Sequence, residues 1–195
     1  MNNQKYWERR KYPKLYKGRT ENSKDNWETP PYFFNLLDLE FNFDVDLASS
    51  EVNHLCDEYY TEENSGLKAN CKGKTVFLNP PFSNKEIWLK KAYEESQKLD
   101  TIVIVIIPAN TDTEWWHKYC MRKAYEIRFC KGRVNFLLNG EETKNGATFP
   151  LSIIVFSETK KENEERETPI FSTYYHKEKD LCKNRVKTKT LEGYL

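Results

Sequence analysis

"TIVIVIIPAN", residues 101–110, is the stretch whose reading decides the fold. Every residue from Ile102 to Ile107 is β-branched, so each position favours extended backbone and neither face of the resulting strand is polar. A strand apolar on both faces must be covered on both, as in the middle of a parallel α/β sheet; a half-exposed strand would alternate. The run is also far too short to cross a bilayer.

Working outward, the preceding segment reads as strand, turn and helix. "TVFL" (75–78) is a strand that runs into "NPPF" (79–82), and Ser83 or Asn84 can cap a helix with Trp88, Leu89, Ala92, Tyr93 and Leu99 on one apolar face. After residue 108, a helix is expected over about 112–122, then two strands in "AYEIRFC" (124–130) and "FPLSIIVF" (149–156). Between those strands lies a loop or hairpin containing Gly132, Gly140 and Gly146. Further upstream, "DNWETPPYFFNLLDLEF" (25–41) predicts a helix over 30–40, opened by Pro30 and Pro31 with Thr29 as N-cap. "NFDVDLASS" (42–50) alternates Phe43, Val45 and Leu47 as a short strand, with Ser49 or Ser50 capping a brief helix through "EVNHLC" (51–56). "DEYYT" (57–61) reads as another short strand and 62–74 as a polar loop. Strands alternating with helices and closing in a strand pair indicate the α/β class, its sheet mostly parallel with an antiparallel strand near the C-terminus.

At 195 residues with 38% hydrophobic content, the chain has the length and the apolar residues for one core. The organisation expected is a basic N-terminal arm (1–24), one compact domain (25–157) and a charged C-terminal tail (158–195) without structural pattern. No apolar signal region opens the chain, so a soluble, cytoplasmic protein is expected, with no membrane partner and no obligatory protein partner. Five cysteines without a CxxC pair fit reduced core thiols, and no metal is expected from His54 with Cys56 or His117 with Cys120. The net charge of +1 conceals basic ends: residues 1–20 carry +6 and 177–190 carry +4, which leaves −9 on the remainder. Basic ends interleaved with Tyr6, Trp7, Tyr12 and Tyr16 suit a polyanion, with Arg9, Arg10 and Lys11 as phosphate contacts; a solvated terminus has the same composition.

The double proline carries the chemistry. In open α/β sheets ligands sit beyond the carboxyl ends of the strands, and Asn79-Pro80-Pro81-Phe82 lies at such an end. Asn79 offers a side-chain carbonyl, and Pro80, biased to extended geometry by the following proline, offers a backbone one. Two carbonyls on one planar NH₂ group would accept both its hydrogens and concentrate its lone pair on nitrogen, while Phe82 could stack on the attached ring. A base amine is a poor nucleophile that needs this holding and polarising. Within a duplex the base must first be flipped out.

These residues resemble a known family. "NPPF" is similar to the catalytic motif of amino-group methyltransferases that use S-adenosylmethionine. Taken with "DNWETPPYFF", "FDVDLASS", "DEYYTEENSGL", "IPANTDTEWWHKY", "EIRFCKGRVNF" and "FPLSIIVF", the core resembles the phage-type, Dam-like DNA adenine N-6 methyltransferases over about residues 25–156. The resemblance implies a compact Rossmann-like methyltransferase fold and transfer of a methyl group to the adenine 6-amino group in double-stranded DNA. It implies further that Asn79, Pro80 and Phe82 hold the target adenine, with Pro81 fixing the turn. Thr29 and Pro30 would contact the methionine end of the cofactor, and Asp46 and Ala48 would stand where a glycine-rich loop usually does. Asn64 occupies a position that is often aspartate in the family; Trp115 and Arg133 would contact DNA. With no glycine between Gly18 and Gly66, a GxGxG loop cannot follow the first strand, and cofactor binding must rest on Asp46 and local backbone donors. Other amines (cytosine 4-amino, guanine 2-amino in RNA, a protein glutamine) share related motifs, and a catalytically silent DNA-binding relative would keep the same fold.

Overall fold

The computed structural model describes residues 25–143, 147–158 and 168–177. A seven-stranded sheet runs through it in the order β2-β1-β3-β4-β8-β5-β9. Its strands are β1 (Val45–Asp46), β2 (Glu58–Tyr59), β3 (Thr75–Leu78), β4 (Ile102–Pro108), β5 (Glu126–Cys130), β8 (Leu151–Phe156) and β9 (Ile170–Tyr174). A separate hairpin pairs β6 (Leu137–Leu138) with β7 (Glu141–Glu142). The pairs β1–β2, β1–β3, β3–β4 and β5–β9 are parallel, whereas β8 runs antiparallel to both β4 and β5. This is the expected α/β, Rossmann-like architecture: a mostly parallel sheet with an antiparallel strand entering late in the chain.

The β-branched run of β4 sits at the centre with both faces covered. Val103, Val105 and Ile107 pack with Trp88, Leu89 and Ala92 of helix α2 (Lys85–Ser96) on one face. On the opposite face, Ile104 and Ile106 pack with Phe33, Phe34 and Leu37 of helix α1 (Pro31–Phe41). Phe34 meets Phe77 of β3 edge to face with ring centroids 4.9 Å apart, which docks α1 on the sheet.

Local chemistry explains where the elements begin and end, including several departures from expectation. Helix α1 takes Pro30, not Thr29, as its N-cap, because Pro31 fills the first helical position where a missing N–H costs nothing. It ends at Asn42, whose left-handed backbone (φ 53°) returns an N–H to the Asp38 carbonyl. Helix α2 stops at Ser96, leaving Leu99 66% exposed and not on an apolar face. Residues 51–53 form turns, not a helix: the Asn53 and His54 N–H groups both return to the Ser50 carbonyl and Asn53 Oδ1 accepts the Ser50 N–H at 2.7 Å, so a single turn closes but does not propagate. The helix expected near 112–122 is largely π-helical over Trp116–Met121, with Trp116, Tyr119 and Cys120 buried. Within the segment read as a patternless tail, Ile170–Tyr174 forms an edge strand beside β5, with Phe171 stacked on Phe129 at 6.4 Å. Cys56, Cys71 and Cys120 are buried free thiols; burial pushes Cys71 up to about 11, so it stays protonated. Among the described residues, no helix is long and apolar enough to cross a membrane.

One ion cluster fastens α2 to the chain entering β3. The nearly buried Glu95 carboxylate accepts from Lys91 at 2.7 Å, from Lys98 at 2.7 Å and from the Cys71 N–H at 2.8 Å. Burial alone would raise the Glu95 carboxyl, but these three donors hold it below its usual range. A depressed folded value means stability present above the unfolded pKa and lost as pH falls through the folded one. Glu95→Gln should therefore cost about 2 kcal/mol at neutral pH and much less once the carboxyl is protonated. Urea denaturation at neutral and strongly acidic pH checks this; an equal loss at both would contradict it.

Candidate active site

Strands β1 and β3 are neighbours, yet the chain leaves β1 toward β2 on one side and leaves β3 toward β4 on the other. Such a topological switch opens a crevice at the carboxyl ends of the strands. A cavity of about 560 Å³ lies there, lined by the exits of both strands, by residues 25–29 and by the loop 61–67.

Asn79, just beyond β3, lines the cavity. Its Nδ2 donates to the Trp27 carbonyl at 2.8 Å, while its Oδ1 is buried without a hydrogen-bond partner. A buried acceptor left open in this way costs stability unless a ligand completes it. Pro81 also lines the cavity; Pro80 is buried and does not. Phe82 does not line it. Only 7% exposed, it packs edge to face on Phe149 at 5.3 Å and on Phe136 at 6.4 Å, and anchors the loop into an aromatic cluster.

Thr29 lines the cavity with its hydroxyl buried and unpartnered, a second open polar group, whereas Pro30 is engaged in capping α1. Asp46, 2% exposed, lies where β1 ends. Its carboxylate accepts the N–H of Ala48 at 3.4 Å and of Leu55 at 3.1 Å, so it organises the loop that follows. Ala48 contributes to the cavity wall. Asn64 does not; its Oδ1 accepts the Thr61 N–H at 2.5 Å and so holds the turn from which Thr61, Glu62, Ser65 and Gly66 line the cavity. Trp115 is partly buried against the core with Lys85 Nζ 5.7 Å above its ring, and Lys85 also donates to the Phe82 carbonyl. Arg133 is exposed in the loop after β5, away from the cavity lining. Arg9, Arg10 and Lys11, with most of the basic ends, lie outside the described residues.

Three features were not visible from sequence. Among the described residues, the lining holds four carboxylates, Asp25, Glu28, Asp46 and Glu62, and no lysine, arginine or histidine. Residues 25–28 reach across 52 and 58 positions to grip Asn79 and Ser83. Gly66 sits directly under the β1 exit, where an added Cβ would lie 2.0 Å from the Leu47 carbonyl oxygen. The glycine missing from the strand's own loop is supplied by a later one.

The family model described as DNA N-6-adenine-methyltransferase (Dam) matches residues 18–186. A DNA N-6-adenine-methyltransferase of Haemophilus phage HP1 is 32% identical over 135 residues, spanning 66% of this chain and 78% of that protein. One from Escherichia phage T1 is 32% identical over 121 residues, spanning 61% of this chain but only 50% of its own length. A solved structure of a presumed RNA methyltransferase from Pyrococcus horikoshii matches at a TM-score of 0.35 and 16% identity, over 52% of this chain and 50% of that one, too slight a likeness to bear on the reading.

Gly66→Ala should force the 61–67 turn off the β1 exit. The expected loss is about 1–3 kcal/mol, as for overpacking a tight interior. Chemical denaturation measures it, and wild-type stability would show that the turn yields without strain.

Proposed function

The chain belongs to the DNA N-6-adenine-methyltransferase (Dam) family, and from that membership and the cleft we propose that it transfers a methyl group from S-adenosylmethionine to the exocyclic 6-amino group of adenine in double-stranded DNA. The observation that carries the reading is the unpartnered, buried Asn79 Oδ1 at the switch point of the sheet.

The lining fits such a donor. Four carboxylates, with no lysine, arginine or histidine among the described lining residues, favour a cationic ligand, and the open Thr29 hydroxyl supplies a polar contact inside. Asp46, Ala48 and the 61–66 turn would hold the donor, with Asp46 acting through the backbone it organises. When bound, S-adenosylmethionine supplies a methyl group already activated by its sulfonium, so no protein nucleophile is needed.

The remaining work is positioning. Asn79 Oδ1 accepts one hydrogen of the adenine amine, and the Pro80 carbonyl is assigned the second. This turns the nitrogen lone pair toward the donor. Pro81 walls the base, while Phe82 keeps the loop seated through Phe136 and Phe149. An adenine within a duplex must leave the stack to reach this depth, at a cost of a few kcal/mol.

The acidic cleft repels phosphates, so the DNA backbone is held elsewhere. Arg9, Arg10 and Lys11 with the other basic residues of 1–20 and 177–190 are assigned to it, with Trp115 and Arg133 on the described surface. The setting proposed for this reaction is the cytoplasm, that of the host if the chain is virus-encoded.

Incubating the protein with tritiated S-adenosylmethionine and unmodified DNA, followed by nucleoside analysis, should yield 6-methyladenine; another methylated nucleoside, or none, would overturn the reading. Asn79→Ala should lower kcat by about 10²-fold or more with donor affinity retained. Replacing the lysines and arginines of residues 1–20 by glutamine should reduce the slope of log K against log salt by several units, at about 0.9 per lost phosphate contact. An unchanged slope would place phosphate binding on the domain itself.

A further inference from the structure

Residues 25–28 form a strap across the front of the NPPF loop. A backbone carbonyl can only accept, so the Trp27 carbonyl, 2.8 Å from Asn79 Nδ2, compels the amide nitrogen to face it and turns Oδ1 to the other side, where it is buried and unpartnered. The strap itself is fastened at three points. Asp25 accepts the Ser83 N–H at 2.7 Å and the Ser83 hydroxyl at 2.6 Å, closing a clasp on the far side of the prolines. The Trp27 ring packs edge-on against Phe136 at 6.0 Å and Phe149 at 6.2 Å, the two rings that also hold Phe82. Glu28 exchanges backbone hydrogen bonds with Leu137, 2.9 Å each way, and accepts the Gly140 N–H at 3.1 Å.

We propose that this strap is the positioning element of the catalytic loop: the Trp27 carbonyl dictates an amide at position 79 and fixes which way it faces, and the Asp25–Ser83 clasp holds the carbonyl in place. The inference rests on the methyltransferase reading above and extends it to residues outside the NPPF motif. Its physical content is a requirement for a proton between position 79 and Trp27. An amide meets it at every pH. A carboxylate would set an anionic oxygen against the carbonyl lone pairs with nothing between them, and the loop would be driven off the strap. Only a protonated carboxyl can imitate the amide, its O–H donating to Trp27 and its C=O left for the base amine. Since that bond is made by the neutral form, it raises the carboxyl pKa.

The test is the pH profile of Asn79→Asp against wild type on the full chain, with a thermal melt and donor Kd for each variant. The expected result is a kcat lowered by about 100-fold near pH 8 and partly restored, by about 10-fold relative to wild type, near pH 5.5. Asp25→Ala should lower kcat by about 10-fold, a loss larger than any rise in donor Kd from removing one cleft carboxylate. Asp25→Asn, which keeps an acceptor for the Ser83 N–H, should regain part of that loss. A pH-independent ratio for Asn79→Asp, wild-type activity of that variant near neutrality, or an unchanged kcat for Asp25→Ala in a folded protein overturns the strap. If the wild type itself makes no 6-methyladenine, the underlying reading fails and the strap with it, so the two failures are told apart by the first assay.

Discussion

The parting of β1 from β3 is the constraint on which the rest depends. The two strands are in register at Val45 with Val76 and Asp46 with Phe77, and a last ladder bond runs from the Leu47 N–H to the Phe77 carbonyl at 2.9 Å. Beyond that bond the chains separate because their next strands lie on opposite sides. Backbone groups just past a strand end must be satisfied by something other than a sheet. At β1 this is done by the Asp46 carboxylate and the Tyr60 carbonyl, and past β3 by Asp25 of the strap, which accepts the Ser83 N–H. The cavity is the space these substitutes enclose.

Charge is divided in a way that suits the proposed reaction. Within the described residues the cavity wall carries only carboxylates, while the strongest runs of positive charge lie in the terminal segments. Over the roughly 8 Å screening length of physiological salt, the wall acts on what enters the cavity and the basic segments act on what they touch. A cationic donor and a neutral base are both admissible inside, and a phosphate is not. In the proposed reaction this charge would add to steric depth in admitting a base and excluding its phosphate.

What was legible in the sequence was local. The β-branched run from Ile102 needed no partner to be read as central, because burial on both faces is written into six adjacent side chains. Pro30 and Pro31 marked the start of α1 to within a residue, and the prolines after Leu78 marked the end of β3. What could not be read was made by partners distant in sequence. The edge strand β9 has a half-exposed pattern, with Phe171 49% exposed, and owes its existence to pairing with β5 across the fold. Residues 51–53 are helix-compatible and close one turn on the Ser50 carbonyl, but the turn does not propagate. The strap reads only as the approach to a helix, since nothing in "DNWE" announces that Trp27 will meet Asn79 or Asp25 meet Ser83.

The glycine question shows the same division most sharply. A glycine-rich loop after the first strand lets the backbone approach a ligand without a Cβ in the way. After Asp46 there is none, and the loop is ordered by a side chain, the Asp46 carboxylate accepting the Ala48 and Leu55 N–H groups. The requirement for a bare backbone nonetheless persists, displaced to another segment: Gly66, arriving from the turn after β2, passes so close to Leu47 that no Cβ fits. A close approach involves two backbones, and either may be the one without a side chain. A motif defined on one segment therefore records which partner usually gives way, whereas the physics constrains only the pair.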